Sequence, residues 1–370
     1  MMELSELEQQ YGDYYVPAFT VAVSGQDLVR DLYLTVTSAE ADLKEKTPGR
    51  FSFNVANAFN WQSRAFVASS GGDPIDLIKL FEFGSPVVIK FGYGDPSELE
   101  SMLSGMITEI STSFADGATP ELTVSGYDPL YSLVNGKNTR QWEGIPDSDA
   151  VEDLLAVTGL STDIRSTETV QARIDQSQEA DIAFLNKLAE RNGATFYVRS
   201  DTFYFGPRNN TVAAEIKLPL GQGLLKFNPD ANIASQVKTV EVLGRSAQTG
   251  DTIIGRASQN DASGVDSNAE SGAERVAAAV DTEPVMRVRA AVHTVEEAQQ
   301  RARAILEEKS QEFVTGDGES IGLPDIVPDM NIELTALGEP FSKTYYVNGA
   351  KHKVDGSGYR TTFSVQETSV

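Results

Sequence analysis

Hydrophobic and polar residues alternate along the first third of the chain. One polar residue separates Phe51 from Phe53, and one separates Phe53 from Val55. This period of two is typical of a β-strand that has one buried face. Segments 102–114 and 121–133 also carry spaced apolar residues and flank the turn-rich sequence ADGATP, which predicts a hairpin. Several short strands at such spacing favour an antiparallel barrel or sandwich.

The period changes in the middle third, where helices are predicted. Residues 148–160 read SDAVEDLLAVTGL, with polar capping residues at the start and a glycine near the end. Residues 179–198 read EADIAFLNKLAERNGATFYV, in which apolar residues recur at helical spacing. The predicted helix is followed by a glycine, which can end it in the left-handed conformation, and then by a predicted strand. We interpret this segment as a structural joint, which consists of Phe184, Leu185, Leu188, Gly193, Phe196 and Tyr197.

The last third returns to strand patterns on both sides of one helix. Apolar and polar residues alternate at residues 236–244 and 359–366. The pattern at residues 295–309 predicts a helix, whose start is marked by a Thr-x-x-Glu capping box. Residues 246–282 are rich in Ser, Ala, Gly and Asp and poor in aromatic residues, so we predict a long loop there.

Together these patterns predict a mainly β fold with α+β parts. Residues 1–135 form a first β-rich part. Residues 136–212 form a smaller α/β connector, which contains the joint. Residues 213–370 form a second β-rich part, which includes the loop and the helix.

Charge and cysteine content narrow the possible functions. The 370 residues include 54 acidic and 30 basic ones, which gives a net charge of −24. Nucleic-acid binding relies on clustered Lys and Arg, which the chain lacks, so we expect none. The absence of cysteine excludes disulfides and thiolate chemistry. No apolar run is long enough to span a membrane, and the first residues are polar and acidic. We therefore expect synthesis in the cytoplasm and no membrane insertion.

The sequence offers no recognisable constellation for catalysis. His293 and His352 are the two histidines, and each position is more typical of a loop or of strand packing than of a catalytic site. We expect no catalytic residue, no metal site and no cofactor. The many carboxylates leave a glycosidase-type pair open. An aromatic set could form a ligand platform, although aromatic residues in strands belong more often to cores or interfaces. The set comprises Tyr14, Tyr15, Trp61, Tyr345 and Tyr346.

The joint segment resembles a signature of the baseplate hub proteins of contractile-tailed phages, the family called phage late control D. The hub part of the type VI secretion spike protein VgrG carries a similar pattern. Ala180 stands where the family often has serine. Segments 87–133, 223–244 and 316–368 are also similar to the family, in the same order. The matching residues of the signature are Gln176, Glu179, Asp181, Phe184, Leu185, Leu188, Glu190, Gly193, Phe196 and Tyr197.

The resemblance implies two antiparallel tube-like β-barrels, at 1–135 and 213–370, joined by the α/β region at 136–212. It implies a non-enzymatic homotrimer, whose ring adapts a three-fold spike to a six-fold inner tube. The expected partners are the inner tube protein, a separate spike protein and other baseplate proteins. The expected location is a virion tail or a contractile injection particle. The alternatives are the hub part of a type VI spike and a baseplate enzyme that cleaves peptidoglycan or carbohydrate.

Overall fold

A computed structural model shows that the chain is mainly β with smaller α/β parts, as the sequence predicts. Antiparallel pairing dominates, which suits strands that have one apolar and one polar face. The described residues are 1–14, 16–70, 73–114, 116, 119–245, 250–259, 271–280 and 283–369.

The first part of the chain forms antiparallel strands and two short helices. In chain order these are α1 (Leu4–Gln10), β1 (Pro17–Val23), β2 (Gln26–Asp27), β3 (Thr35–Lys44), β4 (Arg50–Ala56), β5 (Val67–Ser70), β6 (Asp73–Asp76), α2 (Leu77–Leu80), β7 (Pro86–Tyr93), β8 (Glu100–Thr112) and β9 (Leu122–Tyr127). Phe51, Phe53 and Val55 are buried on one face of β4, as their alternation predicts. The predicted hairpin is formed by β8 and β9.

The connector packs two helices against a small mixed sheet. Its elements are β10 (Asn138–Pro146), α3 (Asp147–Leu155), β11 (Ser161–Ile164), β12 (Val170–Glu179), α4 (Asp181–Asn192), β13 (Ala194–Arg199) and β14 (Thr202–Pro207). Strand β14 lies between β11 and β13, and β10 pairs with β12. Helices α3 and α4 share one hydrophobic cluster with this sheet. A turn at Ser200 and Asp201 joins β13 to β14.

The last part of the chain contains further strands and two helices. They are β15 (Ile216–Pro219), β16 (Leu224–Ala231), β17 (Thr239–Arg245), β18 (Thr252–Ser258), α5 (Gly272–Val280), β19 (Val285–Arg289), α6 (Val295–Gln311), β20 (Val314–Ile321), β21 (Met330–Thr335), β22 (Lys343–Asp355) and β23 (Gly358–Glu367). Helix α6 therefore ends two residues beyond its predicted end.

One thirteen-stranded sheet connects the first and last parts of the chain. Its order is β16-β20-β23-β22-β3-β4-β9-β8-β7-β1-β2, and β22 also pairs with β21, which pairs with β15. Two separate hydrophobic clusters pack on this sheet, one for each part. The two predicted barrels therefore share a sheet. No ladder among the described residues closes either half upon itself.

Strand β22 extends from one core to the other. Residues 343–347 pair with β21, whereas residues 349–354 pair with β3. The register opposite β23 shifts between Val347 and Gly349, as in a β-bulge. Side chains early in β22 therefore belong to the core of the last part, and Val354 belongs to the core of the first part.

The N-terminal residues pack on the last part of the chain. The backbone N–H of Met2 donates to the carbonyl of Glu215 at 2.6 Å. Helix α1 buries Leu7 completely in the core of the last part, and the Tyr11 hydroxyl donates to Asp325 Oδ2 at 2.7 Å. The prediction that residues 1–135 all belong to the first part is wrong for these residues, because the apolar side of α1 completes the second core.

The predicted long loop at 246–282 contains regular structure, so this prediction is wrong for part of the segment. Strand β18 pairs with β17 and the helix α5 follows it, while residues 246–249, 260–270 and 281–282 lie outside the described residues. Helix α6 covers the sheet β18-β17-β19 and buries Ala298, Ala302 and Leu306 with it. A Cβ on Gly255 would lie 2.1 Å from the Ala298 carbonyl carbon. Such small residues permit close packing but give a weak strand pattern.

Candidate functional site

Four of the six residues predicted to form the joint meet in one core. Phe184, Leu185 and Leu188 lie on the buried face of α4, and Phe196 lies on β13 beside them. Each is at most 3% exposed. The Trp142 ring of β10 stacks on Phe184, with ring centroids 5.6 Å apart. Apolar burial of this face therefore fixes α4 to the connector sheet.

Gly193 ends α4 at the predicted place. Its φ of 63° is left-handed, and its N–H contacts the carbonyl oxygens of Ala189 and Glu190. A Cβ at this position would lie 3.3 Å from Cβ of Ala304 on α6. Glycine thus reverses the chain and also leaves room for α6 to approach.

The start of α4 is fixed by the carboxylate of Asp181, since Ala180 provides no side-chain cap. Asp181 Oδ1 accepts hydrogen bonds from Asn138 Nδ2 at 2.9 Å, from Arg140 Nη1 at 2.6 Å and from Gln176 Nε2 at 2.6 Å. Burial opposes ionisation of this group, but these hydrogen bonds and the charge of Arg140 hold the pKa of Asp181 below its usual value. The ionised carboxylate therefore ties α4 to β10 and β12.

Tyr197 lies on the opposite face of β13 from Phe196 and contacts the last part of the chain. Its hydroxyl donates to Asp329 Oδ2 at 3.0 Å. Asp329 also accepts from the backbone N–H of Asn209 at 2.9 Å, from Asn209 Nδ2 at 2.6 Å and from the Tyr346 hydroxyl at 2.9 Å. One buried carboxylate thus joins the connector to β22.

A second buried carboxylate brings the first part of the chain to the same place. Glu45, just after β3, contacts the Tyr346 hydroxyl, and Arg208 Nε lies 3.5 Å from Glu45 Oε2. Burial raises the pKa of Glu45, although the Arg208 charge opposes this shift. The hydroxyl of Tyr346 therefore lies between the carboxyl groups of Glu45 and Asp329. We call Glu45, Tyr197, Arg208, Asp329 and Tyr346 the polar joint.

Contacts with backbone groups surround the polar joint. The N–H of Lys46 donates to the carbonyl of Phe196 at 2.8 Å, and Asn186 Nδ2 donates to the carbonyl of Lys46 at 3.2 Å. Arg199 Nη2 donates to the carbonyl of Pro328 at 3.0 Å. Residues from the first part, the connector and the last part therefore meet at this one place.

The polar joint is suited to holding the three parts of the chain in one arrangement. Its carboxylates receive their hydrogen bonds from the protein itself, and a buried network of this kind is favourable only when its members are satisfied. Sequence reasoning missed Glu45, Arg208 and Asp329, because each is far along the chain from its partners. Tyr346 was noted only as part of a possible ligand platform, and it is buried.

The remaining candidate residues lie in separate places. Tyr345 is buried in the core of the last part, whereas the Trp61 ring is 59% exposed and packs edge-on against Phe59. These aromatic residues therefore do not form one platform with Tyr346. His293 is exposed just before α6, and its backbone N–H donates to Glu297 Oε2 at 2.7 Å.

His352 has a strand-packing position in β22 between the two cores. Its Nδ1 lies 2.9 Å from the Tyr359 hydroxyl, and its Nε2 lies 2.8 Å from the Ile326 carbonyl oxygen. Tyr359 belongs to the first core and Ile326 to the second. Burial away from water lowers the pKa of His352 to about 4, so the ring is neutral at pH 7.

We expect the folded chain to lose stability in acid because His352 is protonated more easily in the unfolded state. An exposed histidine has a pKa of about 6.5, so the unfolded state takes up a proton first. The free energy of unfolding should therefore fall as the pH drops from about 6.5 to about 4, by about 3 kcal/mol from this group. Chemical denaturation at several pH values should show a shallower acid loss for His352→Gln than for the wild type. Parallel pH curves for the two proteins would contradict this expectation.

Neither a metal-binding cluster nor a membrane-spanning helix occurs among the described residues. Within those ranges, no group of three His, Asp or Glu side chains could hold a metal ion. In the same part of the chain, no helix combines the length and the apolar character that crossing a bilayer requires.

Comparison with protein families gives one match over most of the chain. A family model described as the Alg8 N-terminal domain matches residues 68–356. The chain belongs to this family. The residues matched to the Alg8 N-terminal domain include the joint segment and β22. The description of the family names no reaction. No curated protein sequence matches the chain. The resemblance to phage late control D stays a prediction.

Solved structures show that phage tail proteins share the fold of this Alg8 N-terminal domain. A 43 kDa tail protein of prophage MuSo2 from Shewanella oneidensis has a TM-score of 0.68 at 14% identity, over 95% of this chain and 98% of that protein. A tail protein from Neisseria meningitidis has a TM-score of 0.66 at 13% identity, over 95% and 97%. An Escherichia coli protein described as a type VI secretion system component has a TM-score of 0.57 at 13% identity, over 94% and 77%.

Proposed function

We propose that the chain is a structural baseplate hub of a phage tail or of a contractile injection system. Three copies form a ring that adapts a three-fold spike to a six-fold inner tube. The likeness in fold to two phage tail proteins over 95% of the chain carries this proposal. The likeness to a type VI secretion component favours the same class of assembly.

The arrangement of cores supports the adaptor role. Each chain contributes two β-rich cores on one sheet, so a trimer would present six around its axis. The polar joint would hold the two cores of each copy in a fixed arrangement. The partners that we propose are the inner tube protein, a separate spike protein and other baseplate proteins, within a virion tail or injection particle.

The role that we propose is non-enzymatic. The polar joint contains two buried carboxyl groups, Glu45 and Asp329, whose partners come from the protein itself. The alternative is a baseplate enzyme that cleaves peptidoglycan or carbohydrate. Turnover of peptidoglycan by the purified chain, lost on substitution of one carboxylate, would establish that alternative.

We place the contacts between copies at the two ends of the thirteen-stranded sheet. At one end, β16 pairs with β20 on one side, and no strand among the described residues pairs along its other side. At the other end, β2 pairs with β1 only at Ala22 and Val23. Unpaired edges accept further strands. Contacts between these two different edges are head-to-tail, and such contacts can close a ring.

Substitution of Leu225 by aspartate should prevent trimer formation without unfolding the chain. Leu225 lies on the edge strand β16 and is 44% exposed, so the new charge is tolerated by the monomer but not by an apposed edge. We expect the concentration needed for trimer formation to rise at least about tenfold, because a charge would be buried at the contact. Native mass spectrometry and light scattering measure this change.

The matched control is Val157→Asp, which places the same charge at a position that is 66% exposed and lies away from the sheet. The control should form trimers like the wild type. A wild-type chain that stays monomeric at every concentration, alone and with tube protein, would refute the ring. Equal assembly of the two variants would refute the edge contact.

A further inference from the structure

The three-stranded sheet β18-β17-β19 has one covered face and one open face. Helix α6 packs on the covered face, where Val240, Val242 and Ile253 are buried. Successive side chains of a strand point to opposite faces, so the residues between these point to the open face. The charged residues of the open face are Glu241, Arg245, Arg256, Arg287 and Arg289.

The open face is basic, although the chain as a whole is strongly acidic. It carries four arginines against one glutamate, whereas the chain has 54 acidic and 30 basic residues. At the border of the face, Lys238 and Glu283 form an ion pair at 2.5 Å and so neutralise each other. Strand pairing therefore gathers positive charge that is scattered along the sequence, and such a face attracts acidic partners.

Arg289 is the arginine of β19 that has no carboxylate beside it in the register. Arg287 Nε lies 2.9 Å from Glu241 Oε2 on the neighbouring strand. Arg289 instead lies beside Leu243, and Leu243 lies beside Ile254 on β18. The row across the sheet that contains Arg289 thus holds aliphatic side chains and one positive charge.

Strand β19 is an edge of this sheet. It pairs in parallel with β17, and no strand among the described residues pairs along its other side. The Ala290 N–H, just after β19, donates to the Leu243 carbonyl at 3.1 Å. Backbone groups of alternate residues point to opposite sides of a strand, so the even-numbered residues bond towards β17. The residues whose backbone groups point to the unpaired side are Val285, Arg287 and Arg289.

An unpaired strand edge selects a polypeptide, because its N–H and carbonyl groups are complementary to those of another strand. The side chains of Arg287 and Arg289 would lie next to one face of an added strand. Opposite charges across neighbouring strands are favourable and like charges are not, so that face should be acidic. On the other face, Met286 packs against the core beneath α6, and apolar side chains beside it would extend that core.

We propose that the edge of β19 binds an extended segment of another protein, in which acidic and apolar residues alternate. This inference goes beyond the hub role, since a single chain carries the whole edge. The unpaired edge strand β16 of a second copy carries both Lys226 and Asp230, so it does not match this acidic pattern. A nucleic acid would contact the arginines but has no backbone that continues a β-sheet.

Charge reversal on the two edges of the open face tests the proposal. The variant is Arg289→Glu on β19, and the matched control is Arg256→Glu, which makes the same change on the opposite edge strand β18. Both arginines are exposed, so both variants should fold, as denaturant titration checks. The probe is a fluorescent peptide of about eight residues that alternates glutamate and valine. A lysine–valine peptide and a single-stranded oligonucleotide are compared with it.

The wild type should bind the glutamate–valine peptide and not the lysine–valine peptide. Arg289→Glu should raise the dissociation constant at least about tenfold, because like charges would then lie on adjacent strands. Arg256→Glu should raise it less than about threefold, because its charge lies two strands farther from the added segment and is screened by salt. Absence of binding by the wild type, or an equal loss in the two variants, would overturn the proposal.

Backbone methylation of the probe separates strand pairing from charge attraction. Two versions of the glutamate–valine peptide carry N-methyl groups, one on its glutamates and the other on its valines. An added strand directs one of these two sets of N–H groups at β19. One version should therefore lose binding at least about tenfold, while the other retains it. Equal binding by both versions would show that no strand is added and would overturn the proposal.

Two further outcomes assign the edge to a different occupant. Oligonucleotide binding by the wild type that displaces the peptide, and is weakened equally by Arg256→Glu and Arg289→Glu, would assign the arginines to nucleic acid. Loss of the trimer in Arg289→Glu would assign β19 to a contact between copies. Either result would overturn the proposal. A wild-type chain that binds the peptide as a monomer and never forms trimers would refute the hub and leave this inference standing.

Discussion

Replacement of Leu188 by aspartate should unfold the connector. Leu188 is 2% exposed in the hydrophobic cluster between α4 and the connector sheet. A carboxylate at this position would lie among hydrophobic side chains. It would therefore have to remain charged without a partner or take up a proton, and both are unfavourable. We expect a loss of more than about 4 kcal/mol in the free energy of unfolding, measured by chemical denaturation, or insoluble protein.

The control for this substitution lies on the same helix. Ala183 is exposed on α4, so Ala183→Asp introduces the same side chain without burial and should change stability by less than about 0.5 kcal/mol. Leu188→Ala should fall between them, with a loss of about 2–5 kcal/mol from the cavity it leaves. A Leu188→Asp protein as stable as the Ala183→Asp protein would show that the helix is not held by this face.

Replacement of Asp329 by alanine should be the most damaging change in the polar joint. The substitution leaves the hydroxyl of Tyr197 and both donors of Asn209 without their buried acceptor. Such unsatisfied groups cost about 1–3 kcal/mol each, and we expect a total loss of at least about 3 kcal/mol. Denaturant titration measures the loss, and limited proteolysis should show cleavage between the connector and the last part of the chain.

A double-mutant cycle separates the polar joint from a general loss of packing. Asp329→Ala and Tyr197→Phe should couple by about 1 kcal/mol or more, because they remove the two ends of one hydrogen bond. The surface control Asp175→Ala, whose carboxylate contacts Arg173 at 2.7 Å, should cost less than about 1 kcal/mol. The polar joint would lose its proposed role if Asp329→Ala cost no more than this control.

Local structure followed the sequence closely where a segment buries one face. The alternation in β4 and the helical spacing in α4 each report which side chains leave water, and that requirement acts over a few residues. The end of α4 at Gly193 was equally local. At α6, the Thr294 hydroxyl accepts from the N–H of Glu297 at 3.1 Å, as the capping box predicts. The Glu297 carboxylate, however, binds the N–H of the residue before the cap.

The predicted loop shows where a local pattern fails. Strand β18 buries Ile253, Gly255 and Ala257 against α6, but two of these residues are too small to give a clear apolar signal. Their small size is required by the close approach of the helix. The same composition is typical of loops, so the sequence favoured the wrong interpretation.

By itself, the sequence determined the mainly β class, the helix, glycine and strand of the joint segment, and the absence of thiolate chemistry. These features depend on composition and on short periods. Only the tertiary structure decided that α1 completes the second core, that β22 serves both cores, and that Glu45 meets Tyr346, 301 residues farther along the chain. Contacts at such separations depend on the path of the whole chain, which no local periodicity encodes.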